Sequence, residues 1–187
     1  MNNKILHKGD SLTFTFQGYF DIILGWESDD DLDLCIFYVT VDDKVGGVFS
    51  RFYNHGKNSE GTLNQFPFIA LLGETHWDSK RSEDIIRVKD VGCFDKIYIV
   101  AIDYANTING EDLFSFNTPI MLELDHTLPT ISLEINKDEF ECGTICLISE
   151  LKVDGDKIII NNKSTFCPMD EAFVVIPGFE SIINVNF

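Results

Sequence analysis

The chain has little positive charge for its length. Of its 187 residues, 14 are Lys or Arg and 31 are Asp or Glu, so the formal net charge at pH 7 is −17. Nucleic-acid binding needs a basic surface that neutralises phosphates, and binding to anionic membranes needs basic side chains as well. The composition therefore argues against both partners. It leaves an acidic solvated surface, a cationic partner or bound metal ions.

Long apolar runs and a disulfide pattern are also missing. No uncharged stretch approaches the roughly 20 apolar residues that cross a bilayer. The first ten residues contain no apolar core of a signal peptide. The five Cys are an odd number at irregular spacing, which is not typical of a disulfide framework. We therefore expect a cytoplasmic protein with reduced thiols and no direct membrane insertion.

Short apolar segments dominate what the chain does contain. Apolar residues make up 44% of the sequence, and its 16 Phe can supply a full core without disulfides or metals as staples. Leu12, Phe14 and Phe16 alternate with Thr, as in a half-buried strand. Strands are predicted at residues 12–16, 19–26, 31–41, 48–53, 66–72, 85–88, 96–104, 120–124, 128–135, 144–153, 157–161 and 173–176.

Turn residues separate these predicted strands. Gly46-Gly47 predicts a turn, Asp154-Gly155 predicts a tight hairpin, and residues 162–170 are predicted as a loop. No stretch of ten or more residues has a helical period. We therefore predict an all-β protein with little helix, a sandwich or a barrel, in one domain spanning residues 1–187.

The densest charged feature is an acidic segment at residues 27–33, with five acids in seven residues. In a strand, Asp29, Asp31 and Asp33 would share one side, with neighbours roughly 6.5–7 Å apart. Carboxylates so placed suit Ca²⁺, which takes about 6–8 oxygen ligands in irregular geometry. An EF-hand is excluded, because Leu34 and Thr40 stand where that loop needs Gly and Glu. The alternative is a solvated acidic loop.

Two polar segments are candidates to complete a cation site. Residues 53–61 and 73–84 are predicted as long polar connections, and such loops on a β scaffold often carry function. Ordinary solvated connections are the alternative. The sequence contains no Gly-rich phosphate loop, no G-x-S-x-G and no H-E-x-x-H motif, so we predict a protein that is not an enzyme.

Taken in order, several short motifs resemble those of the TerD family of tellurium-resistance and stress-response proteins. None of them is specific alone, but their order spans nearly the whole chain. They are Lys8-Gly9 with Leu12, Gly25-Trp26, Asp31-Leu32-Asp33 with Phe37, Phe52-Tyr53-Asn54, Ser59-Glu60-Gly61, Gly73-Glu74-Thr75, Ser82-Glu83, residues 96–102, and the hairpin of residues 148–152 with 157–160.

The resemblance implies a two-sheet β-sandwich with long acidic loops at one end that bind one or two Ca²⁺ ions. It nominates as ligands Asp31, Asp33, Asn54, Glu74 and Glu83. It also implies a non-enzymatic role in bacterial stress response or tellurium resistance. In that role, ion-ordered loops would form a docking surface for a protein partner, in a membrane-associated stress complex.

The sequence departs from the family pattern at His55, Thr75 and Arg81, and Arg81 would bring a positive charge next to the ions. Two other functions therefore stay open. One is a module that binds a carbohydrate or another small molecule, for which Trp77, His76 and Tyr53 are the candidate contacts, with Arg81 as a further candidate contact for a ligand or a partner. The other is a structural or assembly subunit that has lost its metal, with Arg81 paired to the acidic segment.

Overall fold

The computed structural model describes residues 4–27, 31–50, 53, 59–78, 81–110, 121–125, 130–138 and 141–182, without the side chains at 74–78, 81, 108 and 121. The strands within these ranges are β1 (Lys4–Leu6), β2 (Ser11–Thr15), β3 (Phe20–Trp26), β4 (Leu32–Thr40), β5 (Val45–Val48), β6 (Gly61–Thr62), β7 (Ile69–Asp78), β8 (Arg81–Val88), β9 (Phe94–Asp103), β10 (Met121–Asp125), β11 (Ile131–Glu134), β12 (Ile145–Asp154) and β13 (Lys157–Cys167). The helices are α1 (Tyr104–Ile108), α2 (Met169–Val175) and a 3₁₀ helix, Phe179–Ile182.

These strands form two sheets that pack face to face. The seven-stranded sheet has the order β1-β11-β10-β3-β8-β7-β6, and the six-stranded sheet has the order β2-β13-β12-β9-β4-β5. Neighbours pair antiparallel except β1 with β11, which are parallel. The predicted all-β two-sheet sandwich is therefore confirmed.

The main core lies between the sheets and follows from the alternation of side chains along each strand. On β3, Phe20, Ile22, Leu24 and Trp26 are buried in it. The inward residues of the other central strands are Leu32, Leu34, Ile36 and Tyr38 of β4, Ile86 and Val88 of β8, and Ile97, Ile99 and Ala101 of β9. Partly buried Leu12, Phe14 and Phe16 close the core at the β2 edge.

A second apolar cluster covers the outer face of the six-stranded sheet. The outward residues of β4 and β9, among them Cys35, Phe37, Val100 and Ile102, are buried on that face. The segment after β13 packs on them with Ala172, Ile176, Phe179 and Ile182. Because both faces of β4 and β9 are covered, these strands contain continuous apolar runs rather than an alternating pattern.

Residues 173–176 are not the predicted strand, because most of them lie in α2. Pro168 stands at the N-cap of this helix, and Asp170 and Glu171 lie in its first turn, where acids interact favourably with the helix dipole. The apolar residues that led to the strand prediction face in two directions: Ile176 is buried, whereas Val174 is exposed. No helix in the described ranges is long and apolar enough to cross a membrane.

Two predicted connections are also wrong, because they lie in strands. Residues 73–78 and 81–84 belong to the β7–β8 hairpin, and residues 162–167 extend β13. The polar composition of these segments is typical of loops. Their extended backbone is stabilised by strand pairing, of β7 with β8, of β8 with β3 and of β13 with β12. Gly46 and Gly47, predicted as a turn, pair with Tyr38 and Phe37 in β5. The predicted two-residue hairpin between β12 and β13 is confirmed, but its turn residues are Gly155 and Asp156, because Asp154 still pairs with Lys157.

Candidate functional site at the open edge of a strand

The described residues of the acidic segment, Glu27 and residues 31–33, lie where the two sheets meet at one end of the sandwich. β3 ends at Trp26, which pairs with Ser82 of β8, and β4 begins at Leu32, which pairs with Asp103 of β9. Trp26 and Leu32 are both buried in the main core. The connections after β3, after β7 and after β9 therefore leave the sandwich at this end.

One edge of β4 is open at this end of the sandwich. β4 pairs with β9 along its whole length, whereas β5 pairs only with residues 36–39. In the described part of the chain, residues 32–35 therefore have a strand neighbour on one side only. The backbone amide of Leu34 is bound instead by a side chain of the other sheet. It donates a hydrogen bond of 2.9 Å to Oδ2 of Asp84 on β8.

Asp84 is well buried for a carboxylate, with 5% of its surface exposed. It faces inward because it lies on the same side of β8 as Ile86 and Val88, which are in the main core. Its hydrogen bond to Leu34 satisfies an amide that would otherwise lack a strand partner. A buried carboxylate that accepts a hydrogen bond from a backbone amide is held in a fixed position.

Asp33 lies on the other face of β4, next to the same backbone. Its Oδ2 accepts a hydrogen bond of 2.7 Å from the hydroxyl of Tyr53. Tyr53 is 3% exposed, and its ring meets that of Tyr104 edge to face with centroids 5.3 Å apart. Burial raises the pKa of the Tyr53 hydroxyl well above its usual value, and the negative charge of Asp33 raises it further. Tyr53 therefore stays protonated and holds the Asp33 carboxylate in place.

The two carboxylates concentrate negative charge around one buried thiol. Burial raises the pKa of Cys35 well above its usual value, and Asp33 and then Asp84 add to that shift. The thiol is fully buried and stays protonated. Asp33 and Asp84 thus approach the open edge of β4 from the two faces of the six-stranded sheet.

Asp103 is a second buried acid at this end, after Asp84, but its bonds are structural. It is 1% exposed and caps α1, with Oδ1 accepting from the Asn106 backbone amide at 3.2 Å and Oδ2 from the Asn106 side-chain amide at 2.7 Å. The backbone carbonyl of Asp31 accepts from the Tyr104 amide at 3.0 Å, so the start of β4 is tied to α1.

The five predicted ligands are not gathered into one cluster by the described side chains. Asp31 is exposed, and Asp33 is bound by Tyr53. Glu83 is half-buried on the outward side of β8, opposite to Asp84, and it pairs with Gly25 and Thr75. No group of three or more His, Cys, Asp or Glu that could hold a metal ion is found in the described ranges.

Of the other two predicted ligands, Glu74 lies next to the acid that sequence reasoning missed. It pairs in register with Asp84, although its side chain lies outside the described part, and Asn54 lies outside the described residues altogether. The family resemblance nominates Glu83 as a ligand and does not include Asp84. The signal that identifies it is the shared face with Ile86 and Val88, since alternate residues of a strand point the same way.

Most of the residues proposed for a small-molecule site lie in the β7–β8 hairpin. His76 pairs in register with Ser82, Asp78 pairs with Arg81, and Trp77 lies between them on β7. The side chains of His76, Trp77 and Arg81 lie outside the described part, so the exposure of Trp77 and the pairing of Arg81 remain predictions. Backbone pairing shows only that these residues lie at the same end as Asp84.

Comparison with known proteins adds no assignment. No protein-family model matches the chain, and a search of curated proteins finds no significant match. The resemblance to the TerD family therefore depends on the ordered short motifs. The sandwich fold is compatible with it, but a fold alone does not define a function.

Proposed function

We propose that this chain is a non-enzymatic Ca²⁺-binding protein of the TerD type that acts in the cytoplasm in bacterial stress response or tellurium resistance. The observation that carries the proposal is the placement of Asp33 and Asp84 on the two faces of one open strand edge. In this proposal, cation binding there orders the neighbouring acidic connections into a surface that a protein partner docks on, within a membrane-associated complex.

The chemistry of these residues suits a hard cation. Carboxylate and carbonyl oxygens are the ligands that Ca²⁺ prefers. Ligating carboxylates are commonly oriented by a hydrogen bond from a second residue, and the Tyr53 hydroxyl and the Leu34 amide do this for Asp33 and Asp84. The proposal also uses Asp31, which lies two residues before Asp33, and Glu74, whose backbone is in register with Asp84.

The reduced state of the cysteines supports a cytoplasmic location. All five Cys are free thiols, and Cys35, Cys146 and Cys167 are buried as small apolar side chains. Disulfides are rare in reducing compartments, so unpaired buried Cys fit the cytoplasm.

Thermal unfolding with and without metal tests the proposal. The protein is stripped with EDTA and melted alone, with millimolar Ca²⁺ and with millimolar Mg²⁺. A ligand present at about 100 times its Kd stabilises the folded state by about 2.7 kcal/mol, which is a visible rise in Tm. We expect this rise with Ca²⁺ and a smaller one with Mg²⁺, because Mg²⁺ demands a stricter octahedral geometry.

Two double variants show whether the open edge of β4 is the site. Asp33→Asn with Asp84→Asn removes two charges there, and Asn retains an acceptor for Tyr53 and Leu34. Asp154→Asn with Asp156→Asn is the control, because it removes two charges at the exposed β12–β13 turn, at the other end of the sandwich. The Ca²⁺ response should disappear in the first and persist in the second. An unchanged response in the first variant would contradict the assigned site.

A second function has one observation in its favour. Asp33 and Asp84 both accept hydrogen bonds from the protein itself, so the strand edge is held together without an ion. An assembly subunit that no longer needs metal fits this arrangement. Absence of any Ca²⁺ effect on Tm would overturn the first proposal and favour this one.

A further inference from the structure

The edge strand β2 lacks the features that usually protect a sheet edge. It is the terminal strand of the six-stranded sheet, and in the described part of the chain only β13 pairs with it. Ser11–Thr15 contains no charged residue, no Pro and no Gly. Natural edge strands are commonly blunted by charge, Pro, bulges or short length, because open backbone groups can pair with another chain.

The other three edges of the sandwich are shorter. β1 has 3 residues, β5 has 4 and β6 has 2, whereas β2 has 5. β5 also includes Gly46 and Gly47, and the Gly178 backbone close to the 3₁₀ helix lies against Gly46. β2 is therefore the edge best able to add a strand.

The backbone groups on the free side of β2 follow from its pairing with β13. The Phe16 amide donates to the Asp156 carbonyl at 2.7 Å, and the Asn162 amide donates to the Asp10 carbonyl at 3.0 Å. The register between these two bonds is uninterrupted, and hydrogen-bonded pairs alternate along an antiparallel ladder. Even-numbered residues therefore bond to β13. The amides and carbonyls of Ser11, Thr13 and Thr15 point to the free side.

The two faces of β2 differ in polarity. Ser11, Thr13 and Thr15 are exposed on the outer face. Leu12 and Phe14 are only partly buried on the inner face, and Phe14 meets Phe20 edge to face with centroids 5.8 Å apart. An added strand would thus extend the main core on one face and place polar residues on the other.

We propose that a second copy of this chain binds here, with the two β2 strands antiparallel and the two-fold axis at Thr13. In this register each Thr13 lies opposite Thr13 of the other copy, and Ser11 lies opposite Thr15. Each such pair exchanges two backbone hydrogen bonds. Leu12 of one copy lies opposite Phe14 of the other on the inner face, so apolar side chains contact each other. The segment is self-complementary, as a two-fold interface requires.

Charge does not oppose this register, although each of the two molecules carries −17. Like charges directly opposite each other destabilise a strand pair. Here the only acid next to the strand, Asp10, lies opposite Phe16 of the other copy, and no acid faces an acid. Repulsion between the two subunits is long-range and is screened by salt. Added salt should therefore strengthen the dimer.

Size limits how tight this dimer is. Five residues a side are far fewer than the roughly 20–30 residues a side of a standard stable interface. We therefore expect reversible association that depends on protein concentration. The mass by light scattering or sedimentation should rise from 21.2 kDa towards twice that value as the concentration increases.

Opposite charges at Thr13 test the two-fold axis directly. Thr13→Lys and Thr13→Glu each place two like charges opposite one another, so each variant alone should stay at the mass of one chain. An equal mixture of the two should regain the dimer, because Lys then faces Glu. Thr13 is exposed and its amide does not bond β13, so the fold is retained, as an unchanged Tm would show.

Val41→Lys is the control, since Val41 is 68% exposed in the turn that leads to β5. It should dimerise like the unmodified chain. Three results would overturn the proposal. The first is that the unmodified chain keeps the mass of one chain at protein concentrations up to about 1 mM, the scale of a very weak complex. The second is that the mixture of Thr13→Lys and Thr13→Glu stays monomeric. The third is that Val41→Lys loses the dimer as fully as the Thr13 variants.

Discussion

The outer faces of the two sheets differ, although both belong to one sandwich. On the seven-stranded sheet, the outward side of β3 and β8 carries Asp21, Glu83 and Arg87. On the six-stranded sheet, the outward side of β4 and β9 is apolar and is covered by residues 168–182 and by Tyr53. The outer face of one sheet is thus charged and only partly buried at these strands, and the other sheet is buried on both sides over part of its area.

The largest effect should come from removing the main contact of the covering segment. Phe179 is fully buried and packs on Phe37 with ring centroids 5.1 Å apart. Phe179→Ala should lower the free energy of unfolding by about 3–5 kcal/mol, because it opens a cavity over the six-stranded sheet. Val174→Ala, at an 83% exposed position of α2, should change it by less than about 0.5 kcal/mol. Similar losses in the two variants, measured by denaturant unfolding, would contradict the packing described.

A smaller loss is expected where the cover contacts the candidate site. Tyr53→Phe keeps the buried ring but removes the hydrogen bond to Asp33. A hydrogen bond to a charged group contributes about 1.5–3 kcal/mol, and we expect the lower value because Asp33 is partly exposed to water. Tyr98→Phe is the matched control, since Tyr98 is buried and its hydroxyl has no hydrogen-bonding partner in the described part. An equal loss in the control would mean that the Asp33 contact contributes nothing.

The same tyrosine predicts a loss of stability in alkali. Burial, followed by the charge of Asp33, raises the pKa of Tyr53 in the folded state well above the value near 10 of an unfolded chain. Above about pH 10 the unfolded state releases the proton and the folded state retains it, so unfolding becomes easier as pH rises. Below pH 10 this contribution is fully present. Tyr53→Phe lacks the group, so its stability should fall less steeply above pH 10. Parallel pH profiles would exclude this role.

The smallest loss of stability should come from the outer face of the seven-stranded sheet. Arg87 donates from Nε and from a terminal guanidinium nitrogen to the two carboxylate oxygens of Asp21, both at 2.7 Å, and its guanidinium lies 4.4 Å from the Tyr19 ring centroid. Its side chain is 32% exposed, so the pair is screened by water and salt. Arg87→Gln should lower the free energy of unfolding by up to about 1 kcal/mol, and less at high salt. Lys89→Gln is the control, because Lys89 is exposed and lies two residues after Arg87, directly after the end of β8. It should not measurably change the free energy of unfolding. A loss near that of Phe179→Ala would remove the contrast between the two faces.

Much of the fold could be predicted because its signal is local. The alternation of Leu12, Phe14 and Phe16 and the Asp154-Gly155 turn both identified strands that the structure contains. The polar segment of residues 73–84 did not reveal its strands, because its backbone is stabilised by pairing with distant β3 as well as by its own hairpin. The helix α2 was missed because its seven residues are too few to show a clear helical period.

The candidate site shows the same limit at the level of single residues. Asp33 was selected from the acidic segment, and the structure places it against Tyr53. The family resemblance nominates Glu83, yet it is Asp84 that binds β4. No local pattern states that the amide of Leu34 lacks a strand partner. The Leu34 amide needs another acceptor because the pairing between β4 and β5 ends at Ile36.

The sequence by itself determined the class of the fold, the positions of most strands and the strongly negative net charge. These depend on composition and on a period of two, which every short segment carries independently. The tertiary structure alone decided which acids face the open edge of β4, which sheet is covered on its outer face, and which edge strand has a single neighbour among the described residues. These depend on contacts between residues far apart in the chain, such as Leu34 with Asp84 and Phe37 with Phe179.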